Sequence, residues 1–237
     1  MAPEDSIIFD VVWITNETLI VKEVSRAADK GNVVFFDIGA SSFRGNGRVV
    51  RALGPKGEEG DEGWIDSVRA TTGYCDIVVK ADSLAKLQNI RPLSDPSIAA
   101  LVGSSAYLDV IPNKDGYNHI ALFSPADSSV PRWLTAGDWE VVGKVLGVDT
   151  TRGLVYFIAA SASGLDRHVY SVPLPTVSGP VPSVSPLPKD PPTALTDVSK
   201  PGYHSASFSP KSGYYMLEYR GPLIPYQQIV DVSNSSE

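Results

Sequence analysis

Residues Gly147–Ser161, GVDTTRGLVYFIAAS, followed by Arg167–Leu174, RHVYSVPL, read as a turn, an inner strand and a next strand. Asp, Thr and Gly supply the turn, while the β-branched and aromatic residues fit a pleated, half-buried surface. Ser207–Gly221, SFSPKSGYYMLEYRG, repeats that plan. Similar turn chemistry in successive units fits radial repetition better than two facing sheets. A β-propeller is therefore favoured over a β-sandwich, whose strands show the same alternation.

Strand-length apolar runs extend in both directions from this stretch. They cover Ile7–Ile14, Thr18–Val24, Asn32–Ile38, Arg48–Leu53, Ala106–Ile111, His119–Phe123, Trp139–Val148, Leu154–Ala159, His168–Leu174, His204–Ser209, Tyr214–Tyr219 and Tyr226–Val232. Few windows carry an apolar stripe at helical spacing, and the best helix candidate, Ala81–Asn89, is short. The runs fall into sets. The first closes at Leu53, the second spans Ala106 to Arg132–Thr135, and the third runs from Trp139 to Thr193–Thr196 after a Pro-rich excursion at 173–192. The fourth begins at His204. The expected fold is all-β, a partial propeller of about four blades over residues 1–237. An arc of that kind exposes apolar faces and strand edges, so it should associate, aggregate or belong to a longer protein.

The 237 residues carry a formal net charge of −7 and no basic run, which disfavours nucleic acid as a partner. Cys75 is the single cysteine and cannot form an internal disulfide. His119, His168 and His204 lie far apart and no Cys/His cluster has ligand spacing, so no metal or other cofactor is expected. The start, MAPEDSIIFD, lacks a basic region and a long apolar stretch, and no run approaches the length needed to span a bilayer. As written the chain reads as soluble.

Longer phrases carry a resemblance. They are EVSRAADKGNVVFFD (Glu23–Asp37), GEEGDEGWID (Gly57–Asp66), YLDVIPNKDGYNHIALFSP (Tyr107–Pro125) and LTAGDWEV (Leu134–Val141). They continue with GLVYFIA and DRHVYSVPL (Gly153–Leu174) and SASFSPKSGYYMLEYRGPLIPYQQIVD (Ser205–Asp231). In one order and over most of the chain, these resemble the dipeptidyl peptidase IV-like serine exopeptidases, fungal dipeptidyl aminopeptidases in particular.

The resemblance implies an eight-bladed propeller between an N-terminal membrane anchor and a C-terminal α/β-hydrolase domain, with this chain in the propeller's second half. It implies a type II membrane protein of the secretory pathway or vacuole, or a secreted one, acting on peptide substrates, with a homodimer as a partner state. The resemblance implies paired glutamates that hold the substrate amino terminus, but these lie upstream of the matched stretch, so Glu58 and Glu59 do not inherit that role. Arg91 matches an arginine that the family presents to the substrate cavity, and a surface arginine before Pro92 is the plainer reading. Val68–Leu87 interrupts the family-like text and is read as an insert, an unspliced intron translated in frame. Asn16-Glu17-Thr18 and Asn234-Ser235-Ser236 match glycosylation acceptors and gain weight from the secretory implication.

Hydrolytic chemistry is missing from the text. No serine has glycine at both −2 and +2, as a nucleophile elbow requires; GASSF and GSSAY lack the second glycine. His119 and His168 read as exposed or capping residues rather than triad members, and Arg167 and His168 as bonding to neighbouring loops. GPKGEEGDEG has glycines, but its acidic residues repel phosphate. Trp13, Trp64, Trp133 and Trp139 read as packing between blades rather than as an aromatic cage. The chain is expected to be a non-catalytic propeller portion that gates substrate and offers an oligomer surface. The alternatives are a stand-alone binding scaffold and a nonfunctional remnant.

Overall fold

The computed structural model describes residues 6–26, 31–40, 47–53, 90–103, 105–161, 163–177, 188 and 190–234. Their strands form four antiparallel sheets, each built from strands consecutive in sequence. Sheet 1 holds β1 (Ser6–Trp13), β2 (Thr18–Ser25), β3 (Gly31–Asp37) and β4 (Arg48–Leu53). Sheet 2 holds β5 (Arg91–Pro92), β6 (Tyr107–Pro112), β7 (Asn118–Phe123) and β8 (Arg132–Trp133). In sheet 3 are β9 (Glu140–Asp149), β10 (Leu154–Ala160), β11 (His168–Pro173) and β12 (Thr193–Ala194). Sheet 4 contains β13 (His204–Phe208), β14 (Tyr214–Tyr219) and β15 (Tyr226–Asp231). These meanders are propeller blades, and the chain forms an arc of them that is not closed.

Three apolar clusters hold the arc together, each between successive sheets. Ile20, Val24 and Val33 of sheet 1 meet Tyr107, Ile111 and Phe123 of sheet 2. Leu108, Val110 and Leu122 on the other face of sheet 2 meet Val155, Phe157 and Tyr170 of sheet 3. Tyr156 and Val169 of sheet 3 meet Tyr215 and Leu217 of sheet 4. Both faces of each inner sheet are buried, which is why the strands read as near-continuous apolar runs.

Helix α1 (Pro96–Val102) is a helical segment that sequence periodicity overlooked. Asp95 caps it by accepting from Ser97 N at 2.9 Å, Pro96 occupies the first turn, and Gly103 ends it at φ 90°. Ile98 and Val102 anchor it in the cluster between sheets 2 and 3. The expected helix at Ala81–Asn89 lies outside the described residues, as do Glu58, Glu59, Trp64, Cys75 and the interval 68–87.

The outermost strands of sheets 2 and 3 are two residues long, too short to hold by ladder bonds alone. A repeated side-chain clasp fixes them. Leu134 N donates to Ile120 O, and Thr135 Oγ1 accepts from Ile120 N and contacts Nδ1 of His119 at 3.1 Å. In the next sheet Leu195 N donates to Val169 O, and Thr196 Oγ1 accepts from Val169 N and contacts Nδ1 of His168 at 3.0 Å. One His-Ile/Val and Leu-Thr pairing thus recurs in successive blades.

Sheets 1 and 2 also share a buried ion cluster. Asp109 on β6 receives Lys22 Nζ of β2 at 3.2 Å and Arg51 Nη2 of β4 at 2.9 Å. Asp109 and Lys22 are fully buried, and the Arg51 guanidinium lies 4.2 Å from the centroid of the Phe123 ring.

As expected for an open arc, its two ends present apolar faces. On sheet 1 the row Val11–Val21–Val34–Val49 crosses the face turned away from sheet 2. Val11, Trp13 and Val49 there are half or more exposed. On sheet 4, Tyr214, Met216 and Ile229 are exposed on the face turned away from sheet 3. Trp13 is therefore a surface residue rather than packing between described blades, whereas Trp133 is buried and Trp139 packs against the core.

Candidate functional site

The first strands of sheets 2, 3 and 4 converge on a cleft of about 330 Å³ lined by Ile90, Arg91, Lys144–Leu146 and Ala206–Phe208. Arg91 sits on β5, whose two residues pair with Leu108 and Tyr107 of β6, and its side chain is exposed. The structure thus places Arg91 in a concave wall made by three blades.

β9 is irregular where it meets this cleft. Val142 pairs with Ile158 and Gly147 with Tyr156, so β9 takes five residue steps against two on β10. The excess forms a bulge at Gly143–Leu146, and Gly143 enters it at φ 74°, a left-handed conformation that favours glycine. Three of the bulged residues, Lys144, Val145 and Leu146, line the cleft.

A second, larger cavity of about 930 Å³ opens between the outer parts of sheets 3 and 4. Tyr215, Tyr219 and Tyr226 supply much of its wall, with Leu223 and Ile224 at an exposed loop. Asp197 at its rim is held down to about 2 by its hydrogen bonds to Lys200 and Ser199.

All three histidines are buried, which corrects the expectation of exposed side chains at His119 and His168. His119 uses Nδ1 on Thr135 and Nε2 on the Gly137 carbonyl at 3.1 Å, and Trp139 meets its ring edge-on at 4.9 Å. The Gly137 carbonyl can only accept, so Nε2 carries a proton and donates to it, while burial disfavours the charged ring. His204 Nδ1 contacts the Arg167 carbonyl at 3.0 Å, and the His168 and His204 rings are 5.1 Å apart. Among the described residues no histidine is hydrogen-bonded to a carboxylate, and no group of three His, Cys, Asp or Glu side chains could hold a metal.

Burial lowers the pKa of His119, and burial together with the neighbouring His204 lowers that of His168. A folded-state value below the unfolded one means that the unfolded chain takes up protons first as pH falls below about 6.5. The urea midpoint is therefore expected to drop between pH 7 and pH 5. Asp10, raised by burial, works with the opposite sign at lower pH. A chain carrying His119→Gln and His168→Gln should show a flatter profile in that window. An unchanged slope in the variant would assign the effect to other groups.

Asn16 is exposed in the turn between β1 and β2, and Asn234 lies in a 3-10 turn after β15. Among the described residues no helix is long and apolar enough to cross a membrane.

Sequence and structure comparisons give one answer. Residues 1–226 match the model of the dipeptidyl peptidase IV (DPP IV) N-terminal region. A "Probable dipeptidyl-aminopeptidase B" of Aspergillus clavatus is 36% identical over 228 residues, covering 96% of this chain and 21% of the relative. Its counterpart in Talaromyces stipitatus is 34% identical over 236 residues, covering 100% and 22%. Among solved structures, Porphyromonas gingivalis dipeptidyl peptidase 4 superimposes with a TM-score of 0.65 at 17% identity, over 98% of this chain and 26% of that one. A putative dipeptidyl aminopeptidase IV from Bacteroides ovatus gives a TM-score of 0.59 at 16% identity, over 98% and 28%. The chain thus spans about a fifth of the length of the curated relatives it matches.

Proposed function

The chain belongs to the dipeptidyl peptidase IV N-terminal region family, and from that membership we propose that it forms a non-catalytic propeller wall of a serine dipeptidyl aminopeptidase-like protein. In this reading the whole protein releases N-terminal Xaa-Pro or Xaa-Ala dipeptides through a serine on an α/β-hydrolase domain. The chain contributes substrate gating and an oligomer surface, with Arg91 facing the substrate cavity. The observation that carries the reading is the match of residues 1–226 to a peptidase N-terminal region, in a chain whose three histidines each contact a threonine or a backbone carbonyl. The two exposed apolar end faces support it, because further sheets of a longer chain would cover them.

Purified chain incubated with a chromogenic Ala-Pro or Gly-Pro amide is expected to release no product above the blank. Release that a serine-directed phosphonate abolishes would overturn the non-catalytic assignment. The proposal extends to Asn16 and Asn234 as glycan acceptors and to membrane or secretory placement of the whole protein. It also takes residues 68–87 to be read-through of an unspliced intron. Transcripts are expected to lack those codons, and reads that carry them throughout would sink that part.

The aromatic-lined cavity between sheets 3 and 4 favours a second reading, a stand-alone propeller-type protein-binding scaffold. A sharp cooperative melt of the chain as a monomer would support the scaffold over the fragment.

A further inference from the structure

We propose that the bulge in β9 builds an anion site, in which Lys144 joins Arg91 and Ser207 to select a carboxylate on a bound peptide. The proposal rests on the peptide-wall reading and names a specificity determinant within it. Three independent strands bring the groups together: β5 supplies Arg91, β9 supplies Lys144 and β13 supplies Ser207, and all three residues are exposed at the cleft. Among the described residues no acidic side chain lines the cleft, in a chain whose net charge is −7. Among the described residues no ion pair engages Arg91 or Lys144.

Lys144 reaches this place because of the bulge. A regular β9 would pair residue for residue with β10, and side chains would alternate between the two sheet faces. Sheet 3 buries both of those faces, so a lysine in the regular ladder would meet apolar neighbours. The extra residues swing Gly143–Leu146 out of the ladder and keep Val145 buried while Lys144 stays exposed. Bulges re-aim side chains in this way beside binding sites.

The chemistry fits a carboxylate. Arg91 offers a planar fork, Lys144 a mobile point charge and Ser207 a hydroxyl donor, while Ile90, Leu146 and Phe208 give an apolar floor for the methylenes of a glutamate.

The test uses the purified chain and three neutral-ended peptides that differ at one residue: Ala-Pro-Glu, Ala-Pro-Gln and Ala-Pro-phosphoserine, each acetylated at the N-terminus and amidated at the C-terminus. Binding is followed by NMR shifts of the Lys144 and Ser207 amides. The glutamate peptide is expected to bind about fivefold tighter than the glutamine peptide at low salt, with the preference shrinking as salt rises. Lys144→Gln should remove most of that preference with the fold unchanged, and Lys144→Glu should reverse it. Equal binding of the Glu and Gln peptides would overturn the carboxylate site and leave the peptide wall standing. Tighter binding of the phosphoserine peptide would reassign the site to phosphate and overturn the proposal as stated. If succinate shifts the two amides while no peptide binds, the anion site stands and the peptide-wall reading falls.

Discussion

Asp109→Ala is expected to lower stability by about 3–5 kcal/mol, the effect of removing one partner from a buried ion cluster. The carboxylate is fully buried and is shared by Lys22 from one strand and Arg51 from another. It also accepts from its neighbour Val110 N at 3.0 Å. Removing it leaves two buried cations without the carboxylate they share, at the seam between sheets 1 and 2. Asp10 lies close enough to sense both Lys22 and Asp109, but as a partly desolvated acid it is a poor substitute. For a chain of this size the loss corresponds to roughly 10 °C in Tm. Asp109→Asn keeps the shape and removes the charge, and it should lose nearly as much. A thermal shift below about 1 °C for either variant would show that sheet 1 does not depend on the cluster.

The second large effect belongs to Phe157. Its ring is fully buried between sheets 2 and 3, stacked 5.9 Å from Tyr170 and 6.4 Å from Trp139. Phe157→Ala empties an aromatic volume that the surrounding strands cannot close, because β9 already departs from the ladder opposite it. The expected loss is about 3–5 kcal/mol, read from the urea midpoint. Phe157→Leu should recover more than half of that. Asp109 and Phe157 lie in different seams, so the double variant Asp109→Ala/Phe157→Ala should lose the sum of the two within about 0.5 kcal/mol. A clearly smaller loss would mean that the seams are coupled.

The strands were legible because both faces of each blade are buried, so the sequence runs apolar for strand length and breaks only at turns. His204–Phe208, Tyr214–Tyr219 and Tyr226–Asp231 are examples in which observed and expected ends differ by no more than a residue or two. β5 escaped notice since two residues carry no period. Helix α1 escaped for a related reason: seven residues are too few for a helical stripe, although the Asp95-Pro96 start was in the text. The ion cluster joins residues 87 and 58 positions apart, and nothing local links them. A parity signal was there all the same. Lys22 falls in phase with Ile20 and Val24, and Asp109 with Tyr107 and Ile111, which placed charges on apolar faces. Arg91 was reachable through the family resemblance alone. Lys144 was not, because a bulge is set by pairing register, and register is written in the partner strand.

The three apolar clusters have a consequence for how the chain comes apart. A closed ring holds every seam from two directions, whereas the described arc is coupled like beads on a string, each unit answering only to its neighbours. Loss of an end seam sheds one unit, and loss of the middle seam cuts the string in two. The middle seam is the most heavily built, with α1 added to both sheets. Unravelling should therefore run inward from both ends, and sheets 2 and 3 should be the last pair to let go.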